Sequence, residues 1–460
     1  MKSRMWMTVG AAVFLAAAWM GAASCSQPAG GSEGGGTGTA WREPEPEQAP
    51  AGEREEQLQW YSEKLEECRT SEEFLGMLDQ FSYRSASALL AGGESSANEN
   101  YSPLSLYYAL GMTAAGAEGE TLEELGALLG TEDREALADG CRRLYENIYY
   151  SRKLQDLYGD PDGVNGEGGK RPFASLANSL WVDWELEIKD SYAGLLEENY
   201  YAPAYQVSFD EKETWEQMGR WISDHTEGVM EPELPMDSRT LLALINTLYY
   251  YGAWAEEFPA SETEEEEFHR EDGSASRGEF MHVSVSDSAY REGDGWKTAS
   301  LGIRGSGRMD EMVFVLPDEG TSVEELLASP ERLEEVLDAG TGGRPVNWTV
   351  PKFSFGSSID GNELLMKLGV ERMFTEEAQF PGISDRSLQV SKVLQETHIG
   401  LDEKGVEGAA YTVVMMMETA AALDPAEPVE MRLDRPFLYG IRSQEGGWLF
   451  LGVVRDPFAG

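Results

Sequence analysis

One segment near the C-terminus is almost free of charge, in a chain in which charged residues make up 26 %. It runs from Gly408 to Leu423, and its only charged residue is Glu418. Its beginning is rich in glycine and alanine, a composition that packs weakly as a permanent core strand. At the period of two that a β-strand requires, one face collects small or apolar residues: Val406, Gly408, Ala410, Thr412, Val414 and Met416. The pattern predicts a segment that enters a sheet only conditionally.

Charge and composition exclude two broad classes of protein. The chain has 36 Lys plus Arg and 83 Asp plus Glu, so its formal charge is 36 − 83 = −47. Because binding to a phosphate backbone needs clustered basic residues, we predict no nucleic-acid partner. The 41 % of hydrophobic and 10 % of aromatic residues can form a sizeable core, which excludes disorder of the whole chain.

Residues that could ligate a metal are scattered along the chain. The four histidines are His225, His269, His282 and His398. None of them stands in an H-E-x-x-H motif or at paired-ligand spacing. We therefore expect no metal and no other cofactor. The sequence leaves open whether Cys68 and Cys141 pair with each other, since no C-x-x-C motif is present.

The first 24 residues have the pattern of a secretory signal peptide, because Lys2 and Arg4 precede an apolar run that closes on small residues before Cys25. This ending resembles the lipobox of bacterial lipoproteins, which implies that Cys25 becomes the lipidated N-terminus. An ordinary secretory leader is the alternative. Residues 25–56 carry too few apolar side chains to offset the entropy of ordering, which predicts a flexible acidic tether. We thus expect residues 57–460 to form a domain that is extracellular or at the cell surface, anchored to the membrane.

Helical patterns come first in this domain and strand patterns dominate later. Residues 57–130 have helical spacing, and Ser102-Pro103 predicts a helix start because serine caps and proline fits the first turn. Further helices are predicted over residues 188–200 and 213–225, and strands over residues 176–182, 241–251, 312–316, 346–355, 390–401, 429–433, 437–441 and 448–454. The strand at 241–251 is expected to be buried on both faces. The order of elements predicts an α+β fold.

Short motifs along most of this domain occur in the order of one known family. The segment Glu403-Lys404-Gly405-Val406-Glu407-Gly408-Ala409-Ala410 resembles the hinge of the serpin reactive-centre loop. Other matches are Asn100-Tyr101-Ser102-Pro103-Leu104-Ser105, Gly116-Ala117-Glu118-Gly119, Asn178-Ser179-Leu180-Trp181, Asn246 with Tyr249, Gly252 and Trp254, Pro351-Lys352-Phe353, Arg435-Pro436-Phe437 and Phe450-Leu451-Gly452. On these motifs the chain is identified as a serpin of the bacterial lipoprotein type.

The resemblance implies a fold of three β-sheets and about nine helices with an exposed reactive-centre loop. It also implies that the protein is a suicide inhibitor of serine proteases, or of cysteine proteases as well. The inhibitor would act as a monomer and would not itself be an enzyme. The protease would cut the loop, and the cut loop would insert into the central sheet and trap the acyl-enzyme. Two alternatives are a non-inhibitory serpin-fold binding protein and a surface lipoprotein for solute binding or adhesion.

The resemblance assigns roles to residues in three regions. The implied hinge residues are Glu403, Gly405, Val406, Glu407, Gly408, Ala409 and Ala410. The implied residues beneath the central sheet, in the region called the shutter, are Ser102, Ser105, Asn246 and Gln395, and Trp254 lies at the top of the sheet, where insertion begins. Gln395 stands where the family often has histidine, so we expect no pH response from an imidazole at that position. Ser102 could instead be a simple helix cap.

The same resemblance places the reactive bond. In serpins this bond follows the seventeenth residue counted from the hinge glutamate, which puts it between Thr419 and Ala420. Counting back from Arg435 lands near Pro425, because this loop is longer than the commonest length. The forward count is preferred, since the inserted strand must have a fixed length. Thr419 favours an elastase- or subtilisin-like protease, with Glu418 as the lesser option.

Overall fold

The computed structural model describes residues 44–91, 97–158, 173–230, 232, 234, 237, 239–304, 309–406, 427–443 and 447–459. The α-helices of these residues are α1 Arg54–Glu67, α2 Glu72–Leu90, α3 Pro103–Ala115, α4 Gly119–Leu129, α5 Arg134–Tyr158, α6 Asp190–Tyr200, α7 Lys212–His225, α8 Val323–Leu326, α9 Pro330–Leu337 and α10 Gly361–Lys367. The strands are β1 Glu99–Tyr101, β2 Phe173–Asp183, β3 Ala204–Val207, β4 Leu242–Trp254, β5 Glu264–His269, β6 Ala275–Gly293, β7 Trp296–Arg304, β8 Met309–Pro317, β9 Gly343–Pro351, β10 Phe353–Asp360, β11 Leu394–Leu401, β12 Gly405–Val406, β13 Val429–Arg432, β14 Phe437–Ser443 and β15 Gly447–Val454.

The strands form one continuous network in which three groups can be distinguished, where the resemblance implies three sheets. The central sheet has the order β3-β2-β4-β12-β11-β10. A second group runs β1-β15-β14-β8-β7, and a third runs β5-β6-β9-β13. β4 also pairs with β7 at its end, and β6 pairs with both β7 and β9, so all strands belong to one hydrogen-bonded network. Helices and sheets together give the predicted α+β architecture.

Helix α3 lies at the centre of the domain and begins as its sequence predicts. The Ser102 side chain accepts a hydrogen bond from the Ser105 N–H at 3.1 Å, and Pro103 occupies the first turn. Its residues are apolar on nearly all sides, which is the composition of a buried helix. Helix α7 packs against the central sheet. Its Met218 and Trp221 lie in one cluster with Trp181 of β2.

Three predicted elements differ from the structure. The predicted strand 346–355 is divided at Lys352 between β9, which pairs with β6 and β13, and β10, which pairs with β11. The helical region 57–130 is interrupted by β1, which is too short for a period of two to reveal it and pairs with β15 from the other end of the chain. The predicted strand 241–251 is β4, but its first five residues are only partly buried. Further along β4, Tyr249 and Tyr251 are buried, and Val229 from the connection after α7 packs against them.

The N-terminal end of the described chain also differs from the prediction. Residues 44–53, predicted as tether, lie against the domain, and the backbone N–H of Ala49 donates to the Tyr61 hydroxyl at 3.4 Å. Cys68 and Cys141 are buried thiols and do not form a disulfide. Within the part of the chain that the structure describes, no helix is long and apolar enough to cross a membrane.

Candidate functional site

Among the described residues, the strands β4 and β11 of the central sheet are connected only through the short strand β12. β4 and β11 run parallel, yet among the described residues no backbone pairing joins them directly. Only β12 connects them: Val406 stands opposite Gly252 of β4 on one side and opposite Leu401 of β11 on the other. Below Val406 the facing edges of β4 and β11 have no strand between them in the described structure. We call this space the β4–β11 gap.

A tight turn places β12 at the top of the gap. The Asp402 carboxylate accepts hydrogen bonds from the N–H groups of Lys404 at 2.9 Å and Gly405 at 3.2 Å, and the Asp402 N–H donates to the Gly405 carbonyl. This reverses the chain from β11 into β12. A Cβ atom at position 405 would lie 2.0 Å from the Gly252 carbonyl oxygen, so only glycine fits there.

Trp254, at the end of β4, makes two hydrogen bonds to this turn. Its indole N–H donates to the Asp402 carbonyl at 2.9 Å, and its backbone N–H donates to the Lys404 carbonyl at 2.9 Å. The side chain is 1 % exposed. The bonds are made to backbone atoms, so they fix the position of the turn whatever side chains it carries.

Glu403 is tied to neighbouring strands by its side chain. Its carboxylate accepts hydrogen bonds from the Thr263 hydroxyl at 3.0 Å and from Lys352 Nζ at 3.2 Å, and Lys352 also pairs with Glu279 at 3.2 Å. Burial alone would raise the pKa of Glu403, but hydrogen bonds from the backbone, Thr263 and Lys352 outweigh it and lower that pKa. The ionised hinge glutamate is therefore the favoured form at neutral pH.

The predicted shutter residues lie on both sides of the gap, and the structure joins two of them. Gln395 of β11 exchanges two hydrogen bonds with the backbone of Ser102, each of 2.9 Å. Asn246 of β4 bonds instead to Asn178 of β2 at 2.5 Å. Ser105 is 7 % exposed and contributes its N–H to the cap of α3. The Gln395 side chain thus donates one hydrogen bond to the Ser102 backbone and accepts another from it.

Two polar atoms of β4 beside the gap have no hydrogen-bond partner among the described residues. They are the amide oxygen of Asn246 and the hydroxyl of Thr247. On β11 the same holds for Nδ1 of His398, while its Nε2 lies 3.2 Å from the Ser354 hydroxyl. Buried polar groups in folded proteins are normally paired. These side chains therefore have unused hydrogen-bonding capacity towards the described residues.

His398 is a gap residue that the sequence analysis did not single out. It lines a small cavity of about 20 Å³ between β4 and β11, together with Tyr249, Val406 and Val229. Val229 belongs to the connection between α7 and β4, which crosses the gap on this side. Burial lowers the pKa of His398 below its ordinary value of 6.5.

We expect His398 to make the intact protein less stable in mild acid. Because its pKa is lower in the folded state, its contribution is complete above about pH 6.5 and is lost as the pH falls through the folded pKa. The thermal midpoint of the natural chain should fall between about pH 7.5 and about pH 5.5, and in His398→Gln this fall should be smaller by a few degrees. His269→Gln, which alters an exposed imidazole, is the matched control. Equal pH dependence of all three proteins would contradict the assignment.

Several predicted residues lie outside the described part of the chain. They are Cys25, the hinge residues Glu407, Gly408, Ala409 and Ala410, and the reactive-bond residues Glu418, Thr419 and Ala420. Their roles stay predictions. Among the residues that the structure does describe, no group of three His, Cys, Asp or Glu side chains could hold a metal ion.

Sequence reasoning also missed Asp402 and the role of Lys352. The Asp402-Glu403-Lys404-Gly405 stretch is a turn signature, since aspartate accepts bonds from backbone two and three residues on and glycine relieves crowding. It could have predicted the hairpin. Lys352 had no such signal, because its partner Glu403 is far away in sequence and close only in the fold.

The geometry is that of a mixed helix and sheet domain in which the short strand β12 lies between β4 and β11. A family model described as Serpin (serine protease inhibitor) matches residues 78–457. Serpin-Z2B of Triticum aestivum is 31 % identical over 395 residues, covering 82 % of this chain and 95 % of its own length. Serpin-ZX of Hordeum vulgare is 32 % identical over 400 residues, covering 82 % and 96 %. The chain belongs to the serpin family.

Solved structures agree with this family assignment. Tengpin, a thermophilic serpin in the native state, has a TM-score of 0.71 at 24 % identity, covering 84 % of this chain and 95 % of its own. Arabidopsis AtSerpin1 in its native stressed conformation has a TM-score of 0.67 at 27 % identity, covering 84 % and 98 %. The predicted serpin fold is confirmed. Family membership supports a protease-inhibitor function in general, with a protease as the kind of partner.

Proposed function

We propose that this serpin inhibits a serine protease by inserting its cleaved reactive-centre loop into the β4–β11 gap. The protease attacks the loop and forms an acyl-enzyme. The cut loop then fills the gap before water releases the protease, which is carried along and distorted. About 14 inserted residues at ~3.3 Å each would move the attached protease by roughly 46 Å. The inhibitor supplies no catalytic group.

The observation that carries the proposal is the two-residue strand β12 between β4 and β11. It is antiparallel to both neighbours and is paired with both. Its Val406 is 1 % exposed, so the first part of the hinge is already buried in the sheet. Further insertion therefore only extends a strand that has begun, and it adds backbone hydrogen bonds on both sides without a new nucleus.

The register of β12 predicts where each following residue would lie. From Val406, a continued strand places Ala410 between Leu248 of β4 and Thr397 of β11. Leu248 belongs to the main core, and the Thr397 hydroxyl donates to the Asn100 carbonyl at 2.8 Å beneath the sheet. The face of Ala410 would therefore point towards the core, which agrees with its small side chain.

The same register explains the one polar residue on this face. It places Thr412 between Asn246 of β4 and Gln395 of β11. A hydroxyl can donate and accept, so Thr412 could satisfy the amide oxygen of Asn246 that has no partner in the described structure. An apolar side chain there would leave that oxygen buried and unpaired.

Two features should slow insertion. The connection after α7, with Thr226, Val229 and Met230, covers the cavity between β4 and β11 and must shift to admit a strand. Gly408 in a strand costs about 0.5–1 kcal/mol relative to alanine. Slower insertion lets hydrolysis compete, so we expect a share of the molecules to be cut as substrate.

Two substitutions, one on each face of the strand that the inserted loop would form, can test the proposal. Ala410→Glu would place a carboxylate in the core, where an unpaired charge costs several kcal/mol. Ala409→Glu is the matched control, because it lies on the opposite face, which already carries Glu407. We expect the moles of serpin consumed per mole of inactivated elastase-like protease to rise roughly tenfold or more for Ala410→Glu, and only slightly for Ala409→Glu.

The readout is the covalent complex on denaturing gels together with the cleaved serpin. Ala410→Glu should give cleaved serpin in place of complex. If both variants form complexes as well as the natural chain does, the loop does not insert in this register. If the natural chain forms no complex with any of a panel of serine and cysteine proteases, the non-inhibitory alternative is favoured.

A further inference from the structure

Residues that precede the family match pack against helix α5. The match begins at residue 78, whereas the described chain begins at residue 44. Tyr61 of α1 and Cys68 after it are buried in one cluster with Tyr150 of α5. Gln48 hydrogen-bonds to the hydroxyl of Tyr149, also on α5. We call residues 44–67 the N-terminal arm.

The described part of the arm begins at a cavity of about 160 Å³ between α5, β2 and α7. Three elements form its walls: Tyr145 and Tyr149 come from α5, Ser175 from β2 and Trp221 from α7. Pro44 and Glu45, the first described residues of the arm, also line it. The lining also includes polar side chains such as Arg152 and Asn178, and a cavity of about 150 Å³ is large enough for a six-membered aromatic ring.

Trp221 gives this cavity an unused hydrogen-bond donor. The side chain is 7 % exposed and packs against β2. Its indole N–H has no acceptor among the described residues. Buried indole N–H groups usually find a partner. The cavity is therefore suited to an occupant with an aromatic ring and a nearby carbonyl oxygen.

The sequence supplies one such occupant next to the cavity. From Ser26 to Gln57 the only large apolar residue is Trp41, in a stretch otherwise composed of small, polar, charged and proline residues. Trp41 precedes Pro44 by three residues, which span at most about 11 Å when extended. Since Pro44 lines the cavity, the Trp41 side chain can reach it, and neighbouring backbone carbonyls can reach Trp221.

We propose that Trp41 docks in this cavity and fastens the tether to the inhibitor domain. The indole ring would pack among Tyr145, Tyr149 and Trp221, and a backbone carbonyl of the arm would accept from the Trp221 N–H. The site joins α5, β2 and α7, and the connection that follows α7 covers the β4–β11 gap. If the loop inserts as proposed above, docking would resist the shift of the connection after α7 that insertion into the β4–β11 gap requires.

Hydroxyl-radical footprinting read by mass spectrometry tests the docking on the secreted chain with its tether. Trp184, which is 49 % exposed, is the internal reference. We expect Trp41 to be oxidised at least about five times more slowly than Trp184, because a docked indole is shielded from solvent. Oxidation of the two at equal rates would overturn the proposal. Protection that disappears on dilution would overturn it too, since the occupant would then come from a second copy.

Two variants locate the site. Ser175→Trp fills the cavity from β2 and should restore oxidation of Trp41 to the rate of Trp184; continued protection would place Trp41 elsewhere and overturn the assignment. Trp41→Ala should lower the thermal midpoint by a few degrees, whereas the matched Trp184→Ala should not. Equal midpoints for these two variants would count against docking. No measurement here uses a protease, so the result is independent of the proposed inhibition.

Discussion

Cleavage of the chain between Thr412 and Leu423 should raise the thermal midpoint of unfolding by roughly 20 °C or more. The facing edges of β4 and β11 lack a strand below Val406 in the described structure, so an inserted loop would add backbone hydrogen bonds on two sides. At ~1 kcal/mol each, about ten such bonds contribute on the order of 10 kcal/mol. Domains of this size gain about 2 °C for each kcal/mol. Buried apolar area from Val414 and Met416 would add to this.

The measurement is a thermal scan of intact and loop-cleaved protein at the same pH and concentration. Serpin incubated with the same protease after active-site blocking is the control for the treatment. Cleaved Ala410→Glu should gain much less than the cleaved natural chain, because its loop cannot bury the added charge. Equal midpoints for intact and cleaved natural protein would show that the β4–β11 gap is not filled.

The parts of the site that could be predicted are those encoded locally. Ser102-Pro103 specifies the start of α3 by capping alone, and Gly405 is specified by its turn and its contact with Gly252. The alternation from Val406 onwards predicted a strand that is held only under some conditions, and β12 is its first part. Each of these signals lies within a few residues of the structure that it determines.

The parts that could not be predicted depend on long-range packing. Nothing near Leu242 in the sequence shows that residues 242–251 of β4 pair with only one strand, β2, in the described structure, because a second partner would be a segment far along the chain. The pairing of Lys352 with Glu403 and the exchange between Gln395 and Ser102 join residues of different elements. The hydrogen bond between Gln48 and Tyr149 of α5 could not be predicted for the same reason, since the two residues are far apart in the sequence.

The second large effect concerns the position of the reactive bond. The forward count places it between Thr419 and Ala420, and the hinge turn supports starting that count at Glu403, since Glu403 and Gly405 occupy the turn into β12. The inserted strand has a fixed length, whereas the chain between the bond and β13 can vary at little entropic cost. We therefore expect mass spectrometry of the C-terminal peptide released from the covalent complex to show a start at Ala420, within one residue. A start before Met416 or after Leu423 would contradict the placement.

Thr419→Arg should then change the target class. A threonine flanked by alanines offers a small side chain to the primary pocket of the protease, and no Lys or Arg lies between Gly405 and Met431. Trypsin-like enzymes, whose pocket pairs an acidic residue with a basic side chain, should therefore be inhibited poorly by the natural chain. The variant should gain at least about a hundredfold in its rate of trypsin inhibition and lose a similar factor against an elastase-like protease, since a buried charged pair is worth several kcal/mol in such pockets.

Thr412→Arg is the control that separates charge from position. It adds the same charge to the loop on the core-facing side, and it should abolish the covalent complex with both proteases without redirecting inhibition. If Thr412→Arg redirects inhibition towards trypsin, or if Thr419→Arg does not, the reactive bond lies elsewhere in the loop.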